Sequence, residues 1–244
     1  MLSFLPAYGQ AVTGRNSLEV SARVKIDGKI EKLTRKRFYL FSGGLDANKD
    51  LVSRIGSTEI MSRDCYYTQA KASSEFICWL QAENCESPYC RRVSQDDVKQ
   101  VPEFLTAYNK GVTQFRGKTS VALDWLTTNL APSLVNGFYL QRRTALEKAL
   151  GGIRPAASTM TDSVTVKAIF MDITRNSPGS FTISNVLPIE VGGKSYLWAC
   201  EVKIEAGKTA KLLLQVPDKG KNVKNCEVLV RDLAVCQTGT CEKK

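Results

Sequence analysis

The sequence predicts an α+β protein in which β-sandwich-like strands at both ends of the chain flank a central α-helical block that contains disulfides. Three observations predict it. Apolar and polar residues alternate near the N-terminus and again after residue 162, apolar residues recur at helical spacing in between, and eight cysteines fall four to each half. The expected boundaries are residues 12–44 for an N-terminal hairpin and strand, 45–152 for the helical block, 153–161 for a linker and 162–244 for a C-terminal sandwich.

Leu18, Val20, Ala22, Val24 and Ile26 share one face of the first strand, with Glu19, Ser21, Arg23 and Lys25 on the other. Asp27-Gly28 then supplies a hairpin turn that needs positive φ, and Lys29–Leu33 runs back. Arg37–Phe41, apolar on both faces and ended by Gly43-Gly44, reads as a more deeply buried strand. Asp46–Ile55 reads as a helix closed by Gly56, and Ser73 caps another in which Phe76, Ile77 and Leu80 share a face. Ser94, with Asp96 and Asp97 in the first turn, opens a third helix, and Pro102 suits the first turn of a fourth. Ser120–Leu130 and Leu134–Leu150 complete the block, the last stopped by Gly151-Gly152.

Alternation returns at Val164, Val166, Ala168 and Phe170, and Phe181–Val191 is expected to meet Lys194–Ile204 through a Gly192-Gly193 turn. Ala210–Val216, set off by the turns Ala206-Gly207 and Pro217-Asp218 with Gly220, and Lys224–Leu233 complete a small immunoglobulin-like sandwich. The opening hairpin resembles transthyretin-like and carboxypeptidase-regulatory-like sandwiches, a resemblance that implies a sandwich and no particular activity. Pattern alone leaves open whether the N-terminal strands join the C-terminal ones.

With 244 residues and 43% of them hydrophobic, the chain can bury a core in one large or two small domains. It contains no histidine. A Ser-His-Asp or Cys-His nucleophile and the histidine-ligated metal centres are therefore excluded for this chain alone. The net charge of +10 is concentrated in residues 1–37, which carry +5. The basic run Lys32, Arg35, Lys36 and Arg37 leads into Phe38, Tyr39, Leu40 and Phe41 and is the candidate anion-binding segment. A strand that passes from an exposed turn into a core gives the same string, so nucleic acid is not the expected partner.

The even number of cysteines points to an oxidising compartment, meaning the bacterial periplasm, cell envelope or extracellular space, with the cytoplasm as the alternative. Leu2, Phe4 and Leu5 followed by Gly9 and Ala11 resemble the end of a secretory signal, so Met1–Ala11 is expected to be a signal-peptide remnant or a plain tail. No Asn-x-Ser/Thr acceptor with a permitted middle residue occurs, which leans toward a bacterial envelope. Cys200 and Cys226 fall on inward strand faces and are expected to bond. The most local of 105 connectivities then closes Cys85 on Cys90, Cys236 on Cys241 and Cys65 on Cys78. A zinc site from Cys85, Cys90, Cys236 and Cys241 fits structural-site spacing poorly.

Three Gly-Lys-Ser/Thr triplets, at Gly117, Gly193 and Gly207, have Val112, Pro188 and Val202 where a phosphate loop needs its first glycine. No catalytic motif, cofactor fingerprint or metal set is recognisable. The carboxylates Asp64, Glu83 and Glu86 of the cysteine-rich region are the residues that would flank a catalytic cleft. The expected function is a non-enzymatic exported binding or structural module, without cofactor, whose partner is a protein or an anionic polymer. The alternatives are a carboxylate-dependent hydrolase acting on polysaccharide and a basic polyanion or nucleic-acid binder.

Overall fold

A computed structural model describes residues 16–173, 179–217 and 224–234 together with Cys236 and Cys241. The fold is α+β, with ten strands and seven α-helices among the described residues. Met1–Ala11, expected as a signal remnant, lies outside the described residues, as do Asp218 and Gly220. The chain divides into two compact units. One comprises Met1–Val52, Arg154–Asn185 and Trp198–Val228, and the other Ser53–Ile153, Val186–Leu197 and Leu229–Lys244.

The first unit is a sandwich that takes strands from both ends of the chain. Strand β1 (Ser17–Ile26) turns through Asp27 and Gly28, at φ 49° and 81°, into β2 (Lys29–Lys32). Both turn residues have the positive φ of a type I′ hairpin, which is why an Asp-Gly pair occupies them. The other half of that edge of β1 pairs antiparallel with β5 (Ala168–Met171), and its second edge pairs in parallel with β9 (Thr209–Gln215). A second sheet runs in the order β10 (Cys226–Asp232), β8 (Lys194–Ile204), β6 (Gly179–Ser184), β3 (Arg37–Ser42), β4 (Ala157–Met160); β7 (Ile189–Val191), which with the start of β8 and the end of β10 is counted in the second unit, pairs with the start of β8. The helical block is thus an insertion between β3 and β4, which settles the pairing that pattern left open.

Leu18, Val20, Ala22 and Val24 of β1, Phe38, Leu40 and Phe41 of β3, and Trp198 are all buried. The Trp198 indole N–H, on the second sheet, donates to the Gln215 carbonyl at the end of β9 in the first, at 3.3 Å. Asn48 does comparable work at the end of β3, where one side-chain amide donates to the carbonyls of Ser42, Gly43 and Gly44 and to Thr182 Oγ1, all within 3.1 Å.

Helix α1 (Lys49–Ser57) runs through Gly56 instead of closing there, and among the strands three stretches differ from the sequence expectation. Residues 153–161, read as a linker, contain β4, four residues too short to announce themselves. Val164 and Val166 are not in a strand. Asp162 Oδ1 accepts the backbone N–H groups of Val164 and Thr165 at 2.8 and 2.7 Å, and Val166 adopts φ 59°, so a side-chain-nucleated turn overrides the alternation. Phe181–Val191 is two strands, because Val186 at φ 55° breaks the run between β6 and β7.

The second unit holds α2 (Arg63–Gln69), α3 (Ser74–Ala82), α4 (Gln95–Gln100), α5 (Pro102–Gln114), α6 (Thr119–Asp124) and α7 (Phe138–Leu150); α1 (Lys49–Ser57) begins in the first unit. Ser62, Ser73 and Ser94 cap α2, α3 and α4, and Pro102 occupies the first turn of α5. An aromatic chain forms the core, with ring centroids at 5.4 Å for Phe138 and Tyr67, 5.3 Å for Tyr67 and Phe76, 5.5 Å for Phe76 and Phe104, and 4.9 Å for Phe104 and Trp79.

The disulfides are Cys65–Cys236, Cys78–Cys241, Cys85–Cys90 and Cys200–Cys226. The local closures expected for Cys65 with Cys78 and for Cys236 with Cys241 are therefore corrected. Cys65 lies in α2 and Cys78 in α3, and each takes one cysteine of the C-terminal tail instead.

Candidate functional site

The most developed surface of the second unit surrounds the start of α7 and the loop closed by Cys85–Cys90. A π-helical turn over Ser133–Gly137 leads into α7, of which only Phe138 and Ala149 are buried. Gly137 is required there by space. A Cβ at this position would run into the Tyr66 hydroxyl, which donates to the Ser133 carbonyl at 2.8 Å.

Because α7 buries so little, it presents Tyr139 and Leu140 to solvent, 46% and 65% exposed. The Tyr139 and Ser87 hydroxyls are hydrogen-bonded at 2.5 Å, tying α7 to the disulfide loop, and the same loop presents Tyr89, also 46% exposed. The two tyrosine rings lie 6.2 Å apart with an interplanar angle of 33°. One helical turn on, Arg142 lies over the Phe138 ring at 5.7 Å, approaches Glu86 at 3.6 Å and donates to the Pro188 carbonyl. On the other flank of α7, a groove of about 440 Å³ is lined by Ile60, Met61, Leu140, Gln141, Ala145 and Lys148. The side-chain oxygen Oε1 of Gln141, buried at its edge, has no hydrogen-bond partner among the described residues.

Near Arg142 and Glu86 lies Glu190, 8% exposed on β7. Burial pushes its carboxyl up from the usual carboxylate range, opposed by the Arg63 backbone N–H, which donates to both carboxylate oxygens, and by the Arg142 and Arg63 charges, while Glu86 adds to the rise. The Arg63 guanidinium is spent elsewhere, on Asp64 and on the carbonyls of Leu80 and Cys85.

A second polar hub is structural. Asp97 accepts hydrogen bonds from the Ser94 backbone and hydroxyl, the Trp79 indole and two Arg91 nitrogens, and Arg91 lies 4.8 Å over the Trp79 ring. Burial would raise the Asp97 carboxyl, but the Arg91 and Ser94 donors outweigh it and hold the pKa at about 2.

Of the carboxylates expected to flank a cleft, Asp64 is engaged by Arg63 and Gln81, Glu83 by Arg91, and Glu86 by Arg142. The structure brings Glu86 alone of the three to the tyrosine surface. Glu190, the acid beside it, was missed because it lies far along the sequence in a three-residue strand. Of the candidate anion-binding residues, Lys32 ends β2, Arg35 and Lys36 precede β3, and Arg37 begins it. Lys32, Arg35 and Arg37 are exposed, Lys36 is 3% exposed, and Arg37 extends along β4 toward Ser158 and Met160. Lys36 lies just before β3, where its backbone N–H donates to Thr161 Oγ1 at 2.9 Å and its carbonyl accepts from the Thr161 backbone N–H.

No family model matches the chain, and no curated protein does. Among solved structures it is similar to the pilus backbone protein RrgB of Streptococcus pneumoniae, at 8% identity and a TM-score of 0.27, covering 83% of this chain and 41% of that one. A second structure, the full-length major pilin RrgB of the same organism, gives 8% identity and a TM-score of 0.25, covering 84% of this chain and 31% of the other. The chain thus spans less than half the length of either, and scores this low carry nothing from those proteins to this one. Among the described residues no helix is long and apolar enough to cross a membrane. Four disulfides favour an extracellular or envelope location.

Proposed function

We propose that the protein is an exported, non-enzymatic binding module that engages a protein partner through the surface of Tyr89, Tyr139, Leu140 and Arg142. The observation that carries this reading is the pair of exposed tyrosines held by a disulfide-closed loop and a hydroxyl–hydroxyl bond to Ser87. Tyrosine and arginine supply contact area with few rotors to immobilise, and a stapled loop has lost that entropy before a partner arrives. The test is fractionation of the natural host. Wild-type protein is expected to stay with washed envelope material, while the doubly substituted Tyr89→Ala, Tyr139→Ala protein, folded by circular dichroism, is released. Equal retention refutes the assignment of the surface. Alkylation of native, non-reduced protein followed by intact-mass measurement tests export separately, because eight modified thiols overturn it.

One observation favours a second reading, a carboxylate-dependent hydrolase acting on polysaccharide. Burial raises the carboxyl pKa of Glu190, which neighbours the partly exposed Glu86, so two acids stand together in different environments. Glycan hydrolysis that disappears in Glu190→Gln would establish it, and inactivity of the wild type on a polysaccharide panel removes it.

A further inference from the structure

Among the described residues the sandwich leaves strand edges unpaired, and those edges differ in how they are protected. Natural edge strands avoid association by being short, by carrying charge or by containing proline. Strand β2 is four residues with three charges, Lys29, Glu31 and Lys32. Strands β4 and β5 are four residues each. Strand β10 has seven residues but carries Glu227, Arg231 and Asp232. Strand β9, Thr-Ala-Lys-Leu-Leu-Leu-Gln, has seven residues, no proline and a single charge, and among the described residues it pairs only with β1. That charge, Lys211, sits opposite Glu19 in the β1–β9 register. Leu213 is 42% exposed on the outer face.

We propose that β9 is the seam of a symmetric dimer, in which the β9 strands of two copies of this chain pair antiparallel and join their four-stranded sheets. The sequence of β9 selects the register. Pairing that keeps buried faces on the same side must place odd-numbered residues opposite odd-numbered ones, because successive side chains point to opposite faces. Centring on Leu212 pairs all seven residues. Leu212 then meets its own copy, Ala210 meets Leu214, Thr209 meets Gln215 and Lys211 meets Leu213. Centring on Lys211 instead brings two like charges together and shortens the seam. A two-fold axis through Leu212 makes each contact occur twice, as an isologous interface requires. A seam of two strands is small, so the dimer forms in the upper micromolar range and above.

Because Leu213 faces Lys211 of the other copy, changing the sign of charge at this one exposed position has opposite effects. Leu213→Lys sets two like-charge pairs across the seam and is expected to weaken dimerisation about tenfold. Leu213→Glu sets two ion pairs there and strengthens it about two- to fivefold. Sedimentation equilibrium of the full disulfide-bonded chain up to about 1 mM measures both, with circular dichroism showing that each variant is folded. Amide exchange over residues 209–215 is expected to slow as wild-type concentration rises. A wild type that stays monomeric throughout overturns the proposal, including the case in which the edge serves only a foreign strand. So does a dimer whose strength is the same in both variants, or one that forms without protecting β9.

Discussion

The two disulfides that anchor the C-terminal tail should be strongly non-additive. Cys65–Cys236 and Cys78–Cys241 span sequence separations of 171 and 163, so either one alone closes nearly the whole second unit into a loop. Once one exists, the other closes only the ring through positions 65 to 78 and 236 to 241, about 18 residues. The chain-entropy relation assigns about 5 kcal/mol to a loop of that larger size and about 3 kcal/mol to the smaller ring. Replacing Cys65 and Cys236 by alanine should therefore cost about 3 kcal/mol, and replacing Cys78 and Cys241 about the same, whereas removing both bonds should cost about 8 kcal/mol. The assay is amide exchange of peptides from α3 and α5, which report opening of the helical core under conditions where reclosing is fast. Two single removals that each cost about 5 kcal/mol and sum to the double would refute this account, since the bonds would then act on independent loops. Equal costs for one removal and for both would refute it as well.

Three further outcomes follow from the side-chain network. Asp97 has its carboxyl held at about 2, so its contribution to stability is complete above its unfolded pKa and is lost as pH falls from about 4 through 2. Asp97→Asn should cost about 2 kcal/mol in urea unfolding at pH 7 and flatten that acid limb, and an unchanged limb would refute the hub. Glu190 is shifted the other way, so the folded state keeps its proton to higher pH and stability falls as pH rises through the raised pKa. Glu190→Gln keeps an acceptor for the Arg63 N–H and should cost under about 1 kcal/mol at pH 7 while removing that decline; a loss above about 2 kcal/mol would show the ionised form to be stabilising. Gly137→Ala forces the Tyr66 hydroxyl away and should cost about 1–3 kcal/mol, most of it recovered in a Tyr66→Phe background, where thermal unfolding shows whether the two positions couple.

Much of the secondary structure is legible where one local force dominates. The alternation of β1, the Asp27-Gly28 turn, the serine caps at Ser73 and Ser94 and the proline that starts α5 are all read from adjacent residues. What escaped is either short or non-local. Helix α2, seven residues with no apolar period, is signalled only by its Ser62 cap. The break at Val186 and the Asp162 turn depend on single backbone conformations that the apolar pattern hides. The candidate site was legible only in part. Glu86 stood in a conspicuous cysteine-rich segment, but Tyr139, Arg142 and Glu190 come from a helix and a strand that look ordinary in sequence and acquire meaning only when folding sets them beside the Cys85–Cys90 loop.

The order of synthesis gives the inserted topology a temporal consequence. Ser17 and Thr209, 192 positions apart, are register partners, so β1 leaves the ribosome long before the strand that covers its second edge. Until then β1 and β2 form a lone hairpin, which water does not stabilise, and β3 lacks its sheet neighbours β4 and β6. Threading through a translocon in an extended state would therefore meet little resistance from a prematurely closed sandwich, and the final crosslinks to the tail would fasten an architecture whose parts had all arrived.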